Sequence, residues 1–205
     1  MSGPAAPRVA IVDAGGANFA SVRCALERVG ARVALARDAD GLRGAERIVL
    51  PGVGAAAPAM ALLRERGFAS ALGQAGVPLL GICLGMQLLF AASAEGEVAT
   101  LGVLQGRVDA LPPAPGVRVP HMGWNVVSPT RPSPLFDGIA AGTRMYFVHG
   151  FAAAPGEDCV AETVHGAPFA AAVQRGNVFG VQFHPERSAA AGARLLANFL
   201  RMPSP

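Results

Sequence analysis

The chain has 205 residues, of which 52% are hydrophobic and only 15% are charged. A chain of this length and apolar content buries a large core, which argues against intrinsic disorder and against two full domains, so we expect one domain over residues 1–205. The net charge is +3, and the arginines form no run with interleaved aromatic residues, which disfavours nucleic-acid binding.

The first half of the chain alternates between predicted strands and predicted helices. Short apolar runs predict the strands, and apolar residues at helical spacing predict the helices. Strands are expected at 8–14, 32–36, 47–50 and 77–82, and helices at 18–29, 56–66 and 84–92. Asn18 is expected to cap the first helix. Continuous apolar strands between helices indicate a parallel sheet that is covered by helices on both faces.

The second half is richer in turns. Strands are expected at 101–111, 117–127, 143–149, 159–164, 168–175 and 178–183, and a final helix at 189–200. Glycine and proline residues separate these segments, and no linker or repeat divides the chain. We therefore expect an α/β fold with a mainly parallel central sheet and antiparallel additions in the second half.

Residues 81–87, with the sequence GICLGMQ, predict a nucleophile elbow around Cys83. They join a buried strand to a helix, and so sharp a turn needs the small neighbours Gly81 and Gly85. The turn exposes the thiol at the carboxyl end of the sheet, where ligands bind in such folds. It also places the sulfur at a helix N-terminus, which favours the thiolate, and directs the backbone N–H of Leu84 toward a developing oxyanion.

The other two cysteines are expected in the core, Cys24 on the inner face of a helix and Cys159 at the start of a strand. Three cysteines without a CxxC pair favour neither a disulfide framework nor a zinc site, and they fit a reducing compartment. The N-terminus lacks a signal-peptide pattern, and no apolar run reaches membrane-spanning length. We expect a soluble, cytoplasmic protein.

A base and an orienting acid for Cys83 are expected at the end of residues 178–186, VFGVQFHPE. The run before His184 reads as a buried strand, and Pro185 biases His184 toward extended backbone. Glu186 then lies on the same face as His184, so its carboxylate accepts the imidazole N–H and fixes the tautomer. This predicts a Cys83–His184–Glu186 triad. The alternative is a helix-capping or surface pair of His184 and Glu186.

A glycine-rich loop at 51–54, PGVG, follows the third predicted strand. If that strand neighbours the elbow strand, the loop brings a backbone N–H to the second half of an oxyanion hole. The alternative is a simple turn. The loop has no lysine and no GxxxxGK pattern, so a nucleotide-binding loop is not supported.

Taken together, GICLGMQ and the later HPE resemble the triad-type, class I glutamine amidotransferases. The PGVG loop and the segments at 119–125 (VPHMGWN) and 146–149 (YFVH) are similar to one branch of them, the glutaminase subunit of imidazole glycerol phosphate synthase in histidine biosynthesis. The resemblance covers nearly the whole chain. It implies a flavodoxin-like fold, no cofactor and no metal. It also implies a heterodimer with a (β/α)8-barrel cyclase, which receives the ammonia that this subunit releases from L-glutamine.

The resemblance assigns roles residue by residue. It implies a nucleophile at Cys83, a base at His184, an orienting acid at Glu186, an oxyanion loop at Gly52 and Val53, glutamine binding by Gln87, binding of the substrate α-ammonium by Glu95, and a cyclase-facing surface at Trp124, Asn125 and Arg187. For Trp124, the only tryptophan, burial in the core of this subunit is the competing interpretation.

Four positions depart from the family pattern. Ala14 stands where an aromatic residue is usual, and Arg187 stands where lysine is usual, which keeps the charge but changes its geometry. Gly150 and Phe151 replace a hydroxyl residue and a tyrosine, so only a backbone contact to glutamine remains possible there.

Two other functions stay open. One is a triad amidotransferase that serves another acceptor pathway, against which the PGVG and MGWN segments argue. The other is a non-catalytic binding module of the same fold, against which the intact triad pattern argues.

Overall fold

The computed structural model describes residues 6–15 and 18–203. The strands are β1 (Arg8–Val12), β2 (Arg32–Ala36), β3 (Arg47–Gly52), β4 (Leu79–Cys83), β5 (Ala92–Ser93), β6 (Val98–Ala99), β7 (Arg107–Ala110), β8 (His121–Val126), β9 (Ser128–Pro129), β10 (Arg144–His149), β11 (Phe151–Ala153), β12 (Cys159–His165), β13 (Ala167–Arg175) and β14 (Val178–Val181). The α-helices are α1 (Phe19–Arg28), α2 (Ala56–Glu65), α3 (Phe68–Gly73), α4 (Leu84–Gln87) and α5 (Ala189–Leu200). Short 3-10 turns occupy Ala39–Leu42, Pro134–Phe136 and Pro185–Arg187.

The centre of the fold is an eight-stranded sheet with the order β2-β1-β3-β4-β14-β13-β12-β9. Five neighbouring strands of this sheet, β2, β1, β3, β4 and β14, run parallel to one another. The remaining strands, β13, β12 and β9, extend the sheet in antiparallel fashion. This confirms the predicted α/β class with a mainly parallel sheet and antiparallel additions in the second half.

The core lies on both faces of this sheet. Val9 and Ile11 of β1 pack in a cluster with buried residues of α1 and α5, whereas Ala10 and Val12 pack in a second cluster with residues of α2 and α3. A strand buried on both sides has no polar face, and for that reason the sequence of β1 is continuously apolar rather than alternating.

Two small sheets complete the molecule. In one, β8 pairs with β10 in antiparallel register. In the other, the order is β11-β7-β5-β6. Both come from the turn-rich part of the chain that follows the elbow.

The turn from β4 into α4 is strained, as expected for an elbow. Cys83 has φ +54° and ψ −114°, a conformation that side-chain-bearing residues rarely adopt. The turn also packs backbone against backbone: a Cβ on Gly85 would lie 1.7 Å from the carbonyl oxygen of Leu50, and one on Gly81 would lie 2.7 Å from the carbonyl oxygen of Gly85. Only glycine fits at these two positions.

The helix expected at 84–92 is wrong beyond Gln87. The carbonyl groups of Leu88 and Leu89 accept hydrogen bonds from Leu101 and Leu104 instead of from the next helical turn. This long-range pairing ends α4 after one turn. It also uses residues 101–104 as a loop, so only Arg107–Ala110 of the strand expected at 101–111 forms.

Two further expectations need correction. Helix α3 was not predicted, because its six residues are too few to give a helical pattern, and Gly67, at φ 74°, separates it from α2. Cys24 is exposed rather than buried. The buried residues of α1 are Val22, Ala25 and Leu26, and the 100° step between neighbouring helical positions turns Cys24 away from that face. Cys159 is buried, as predicted.

None of the helices within residues 6–15 and 18–203 has the length and apolar character needed to cross a membrane.

Candidate active site

An open cavity of about 310 Å³ lies at the carboxyl ends of the parallel strands. It is lined by Val53, Gly54, Cys83, Leu84, Gln87, Glu95, Val148, His149, Gly150, Phe151 and His184. Residues far apart in the sequence meet here because β3, β4 and β14 are neighbours in the sheet and end at the same edge.

Cys83 contributes its thiol to this cavity from the elbow. Its Sγ lies 3.7 Å from the carbonyl oxygen of Val148 and 3.7 Å from Nε2 of Gln182. The carbonyl accepts the thiol proton, whereas the amide is a donor, so the sulfur has partners for both of its protonation states.

His184 reaches the cavity from the end of β14 and is held by Glu186. Its Nδ1 donates to Oε1 of Glu186 over 2.8 Å, and Glu186 has no exposed side-chain surface. The opposite nitrogen, Nε2, is buried and has no hydrogen-bond partner among the residues described. The pair is therefore buried and directed into the site, which excludes the surface-pair alternative.

The electrostatics of this pair favour a charged imidazole. Burial is the largest single effect on His184 and opposes its charge, but Cys83 and Glu186 together outweigh it and raise the pKa of His184 to about 10. For Glu186, burial again opposes the charge, while its hydrogen bonds from His184 and Asn18 and the charge of His184 lower the pKa of the carboxyl. The two side chains stabilise each other as ions.

Asn18 is a member of this group that the sequence did not reveal. It was expected to cap α1, but its side chain makes no capping hydrogen bond. Instead its Nδ2 donates to Oε1 of Glu186 over 2.7 Å, across 168 residues of sequence. The available signal was its position a few residues after β1, whose carboxyl end lies at the same sheet edge as Cys83.

The expected oxyanion groups lie on two sides of Cys83. Gly52, the last residue of β3, stands opposite Cys83 in the parallel register, so the third strand does neighbour the elbow strand. Val53 and Leu84 line the same cavity as Cys83. The N–H of Leu84 belongs to the first turn of α4, where backbone N–H groups have no acceptor within the helix.

Gln87 and Glu95 also line the cavity, and both already have partners. Nε2 of Gln87 donates to the carbonyl oxygen of Phe151 over 2.8 Å and to Oε1 of Gln182 over 2.9 Å. Oε2 of Glu95 accepts the backbone N–H of Ala56 over 2.9 Å, at the start of α2. Each side chain thus keeps one oxygen that these hydrogen bonds do not use.

His149 lines the cavity but is unsuited to act as a base. Its Nδ1 donates to the carbonyl oxygen of Phe151 over 2.9 Å, and its Nε2 lies 3.0 Å from Nδ1 of His121. Burial is the main cause that lowers the pKa of His149 to about 3 and that of His121 to about 4. Both rings are therefore neutral at physiological pH and serve as hydrogen-bonding groups.

Trp124 lies on the surface, so its interpretation as a core residue is wrong. Its side chain is 49% exposed, and it stands opposite Tyr146 in the β8–β10 pair. The exposed side chains Met122 and Val126 flank it on β8, and the Arg187 guanidinium lies 5.3 Å from the centre of the Tyr146 ring. We call this surface, made of Met122, Trp124, Val126, Tyr146 and Arg187, the β8–β10 face.

Asn125 is directed inward rather than toward this face. Its Nδ2 lies 3.2 Å from Nε2 of His121 and donates to the carbonyl oxygen of Val164 over 3.0 Å, while its Oδ1 accepts the N–H of Val126. The amide of Asn125 is thus engaged within this chain.

The β8–β10 face is joined to the segment that carries His184. The backbone N–H of His184 donates to the carbonyl oxygen of Tyr146 over 2.8 Å. The N–H of Tyr146 donates to Oγ of Ser188, and the Ser188 hydroxyl donates to the carbonyl oxygen of His184. These three hydrogen bonds form a closed ring between β10 and the residues that follow β14.

The fold and the site together define a class of protein. The family model of the class-I glutamine amidotransferases matches residues 10–202. The chain therefore belongs to the class-I glutamine amidotransferase family.

Two bacterial proteins that are similar over nearly their whole length point to one branch of this family. The imidazole glycerol phosphate synthase subunit HisH of Xanthomonas campestris pv. campestris (strain 8004) is 57% identical over 197 residues, which cover 96% of this chain and 98% of that protein. The subunit of the same name in Xylella fastidiosa (strain Temecula1 / ATCC 700964) is 55% identical over 194 residues, which cover 95% and 97% of the two chains.

Solved structures support the same fold. The structure of PurLQS from Thermotoga maritima has a TM-score of 0.75 at 24% identity, and the match covers 95% of this chain and 98% of that one. The crystal structure of a glutamine amidotransferase has a TM-score of 0.73 at 23% identity, with 94% and 96% covered. At these identities the likeness concerns the fold.

Proposed function

We propose that this chain is the glutaminase subunit of an imidazole glycerol phosphate synthase and supplies ammonia for histidine biosynthesis. As a class-I glutamine amidotransferase it is an enzyme that hydrolyses the side-chain amide of glutamine. The observation that carries the proposal is the cavity in which the strained Cys83 faces a buried His184–Glu186 pair. The 55–57% identity to HisH subunits supports the choice of pathway.

In the proposed reaction Cys83 is the nucleophile and His184 the base. Cys83 passes its proton to Nε2 of His184, a transfer that the raised pKa of His184 favours, and the sulfur attacks the side-chain carbonyl carbon of glutamine. The oxygen of that carbonyl becomes negative and accepts the backbone N–H groups of Leu84 and Val53. His184 then gives its proton to the leaving nitrogen, ammonia departs, and water hydrolyses the thioester to glutamate. Glu186 stabilises the imidazolium throughout.

Substrate binding is proposed for Gln87 and Glu95. The oxygen of Gln87 that its present hydrogen bonds leave unused is available to the amide of the substrate. The second carboxylate oxygen of Glu95 is available to the α-ammonium group. Phe151 replaces the family's tyrosine, and its backbone carbonyl already holds Gln87, so this position acts through main chain rather than through a side-chain hydroxyl.

A cyclase partner is proposed for the β8–β10 face. Met122, at 66% exposed, and Trp124 give this face large apolar side chains, and Arg187 adds a positive charge next to the Tyr146 ring. Aromatic and arginine side chains are frequent at the energetic centres of interfaces. We propose that a (β/α)8-barrel cyclase docks here as a heterodimer. Asn125 would then support this face from within.

We further propose that the chain is one domain and acts in the cytoplasm. The family model matches residues 10–202, and helices of both halves pack on one sheet. All three cysteines are free thiols, which fits a reducing compartment.

The test of the proposed function is the Cys83→Ser variant in the complex with the cyclase. We expect glutamine-dependent synthesis of imidazole glycerol phosphate to be lost, while synthesis from ammonium salts continues at the wild-type rate, because free ammonia bypasses amide cleavage. Cys24→Ser, which changes an exposed thiol on α1, is the matched control and keeps both activities. Equal loss of both activities in Cys83→Ser would instead assign Cys83 to folding or assembly.

A further inference from the structure

A buried glutamine stands beside the sulfur of Cys83. Gln182 follows β14 directly, its side chain has no exposed surface, and its Nε2 lies 3.7 Å from Sγ of Cys83. The proposed function gives it no role. Because a buried amide group is costly unless its hydrogen bonds are made, its partners determine what it does.

The orientation of the Gln182 amide is fixed by two hydrogen bonds that link it through Gln87 to the carbonyl oxygen of Phe151. The carbonyl oxygen of Phe151 can only accept, and it takes hydrogen bonds from Nδ1 of His149 and from the side chain of Gln87. The atom of Gln87 that faces Phe151 is therefore its Nε2. The second N–H of that group meets Gln182 and requires an acceptor, so Gln182 presents its Oε1 to Gln87.

It follows that the NH2 group of Gln182 faces Cys83. A flipped Gln182 would bring two NH2 groups together at 2.9 Å and leave the sulfur opposite an oxygen. An N–H donor beside sulfur is weakly engaged while the sulfur is a thiol. It becomes a charge-assisted hydrogen bond when the sulfur is a thiolate, and such bonds are about twice as strong as neutral ones.

We propose that Gln182 is a catalytic residue of this site, whose side-chain amide donates a hydrogen bond to the Cys83 thiolate and is held in that orientation by Gln87 and the Phe151 carbonyl. The inference rests on the proposed role of Cys83 as the nucleophile. The proton leaves Cys83 for His184 as before, and Gln182 stabilises the charge that remains on sulfur. His184 thus removes the proton from Cys83, and Gln182 stabilises the thiolate as a neutral hydrogen-bond donor.

The test follows the thiolate directly rather than glutamine turnover. We suggest measuring the rate at which iodoacetamide alkylates Cys83 in the full chain as a function of pH, with peptide mass spectrometry to separate Cys83 from Cys24 and Cys159. The other titratable side chains that line the cavity are His149, His184 and Glu95, and all stay unchanged in the variants.

Two variants of similar size remove the donor. Gln182→Met deletes both amide groups, and Gln182→Glu keeps an acceptor for Gln87 but offers no N–H to sulfur. For Gln182→Met we expect alkylation of Cys83 at neutral pH to slow by roughly tenfold, and the pH midpoint to rise by about one unit, as expected for loss of one charge-assisted hydrogen bond. In Gln182→Glu the negative charge of the new carboxylate beside the sulfur should raise the midpoint further. In the complex, kcat for glutamine should fall in both variants, and KM should change little in Gln182→Glu, which keeps the acceptor for Gln87.

The matched control is Asn198→Leu on α5, away from the cavity. It removes a buried amide that donates to the carbonyl groups of Leu135 and Asp137. It should cost stability without moving the alkylation midpoint. A wild-type midpoint in Gln182→Glu, or in a folded Gln182→Met, would overturn the inference. That result would leave the proposed function intact, which is judged separately by the loss of glutamine-dependent synthesis in Cys83→Ser.

Discussion

Glu186 holds two donors on one oxygen. His184 Nδ1 and Asn18 Nδ2 both donate to Oε1, at 2.8 and 2.7 Å. The carboxylate therefore fixes the imidazole tautomer while a second, neutral residue fixes the carboxylate. A buried acid needs this support, because burial alone works against its charge.

This arrangement predicts that Glu186→Gln keeps the fold but lowers turnover. A neutral amide does not stabilise the imidazolium that forms on His184, and its NH2 group favours the wrong tautomer. We expect kcat for glutamine hydrolysis in the complex to fall by roughly 10²- to 10⁴-fold, on the pattern of related triads. His184→Ala, which removes the base itself, should lose at least as much. Wild-type kcat at saturating glutamine in Glu186→Gln would remove this residue from the triad.

Glu95 accepts a hydrogen bond at the start of α2 and is proposed to bind the α-ammonium group of glutamine. One substitution can separate these two roles. Glu95→Gln should raise KM for glutamine more than it lowers kcat, because a charge pair with the substrate ammonium is present in both ground and transition states. It should also cost about 0.3–1 kcal/mol of stability, since the carboxylate sits at the N-terminus of α2. Steady-state kinetics and thermal unfolding measure the two effects.

The control for this variant is Glu97→Gln. Glu97 lies two residues away, but its 73% exposed side chain pairs with Arg107 instead of facing the cavity. It should leave KM unchanged. A lower melting temperature with an unchanged KM in Glu95→Gln would assign Glu95 to the start of α2 alone.

At the scale of secondary-structure elements, the elbow requires the backbones of α4 and β3 to pack closely against each other. The Cβ of an alanine at position 85 would lie 1.7 Å from the backbone oxygen of Leu50, which cannot move without displacing the strand. We predict that Gly85→Ala lowers the free energy of unfolding by about 3 kcal/mol or more, as overpacking against a backbone does. Urea denaturation of the isolated chain is the measurement.

Gly73→Ala, at the end of α3, is the comparison for this prediction. A Cβ there would meet nothing within 4 Å, so its unfolding midpoint should stay close to that of the wild type. If Gly85→Ala were equally mild, the packing of α4 on β3 would be looser than the structure indicates.

At the scale of the whole molecule, the β8–β10 face is predicted to govern assembly. Trp124→Ala should weaken binding of the cyclase by about 2 kcal/mol, or roughly 30-fold in Kd, without lowering the melting temperature of the isolated chain. Because the side chain is half exposed, its removal leaves little cavity. A titration against the barrel protein, paired with thermal unfolding, checks both expectations.

Arg187→Ala should also weaken binding of the cyclase, because it removes the positive charge that lies over the Tyr146 ring. Arg32→Ala is the control for it, since Arg32 is an exposed arginine on β2, at the opposite edge of the central sheet. Unchanged Kd for both Trp124→Ala and Arg187→Ala would place the partner on another surface.

The elements that local pattern determines were predictable from the sequence. Residues 32–36 and 189–200 form a strand and a helix with the predicted bounds, because each has one unambiguous apolar pattern. The elbow was predictable for a different reason, since glycines at 81 and 85 allow a turn that few other sequences tolerate. The His184–Glu186 hydrogen bond joins residues two apart and follows from strand geometry.

What escaped prediction depends on contacts between distant residues. The end of α4 is set by hydrogen bonds from residues 101–104, and no local pattern in 84–92 encodes them. Asn18 meets Glu186 across 168 residues, and Gln182 meets Cys83 across 99. Such pairs follow only from the strand order, which the apolar pattern of each strand leaves open.

The ring of hydrogen bonds among Tyr146, His184 and Ser188 couples the position of the β8–β10 face to the position of the His184 imidazole. A molecule that binds to Trp124 and Tyr146 and displaces strand β10 would therefore also displace the backbone of His184. The position of the His184 imidazole relative to the Cys83 sulfur thus depends on a surface that lies outside the cavity. If the proposed partner docks on this face, docking and the placement of the base would be coupled through these three hydrogen bonds.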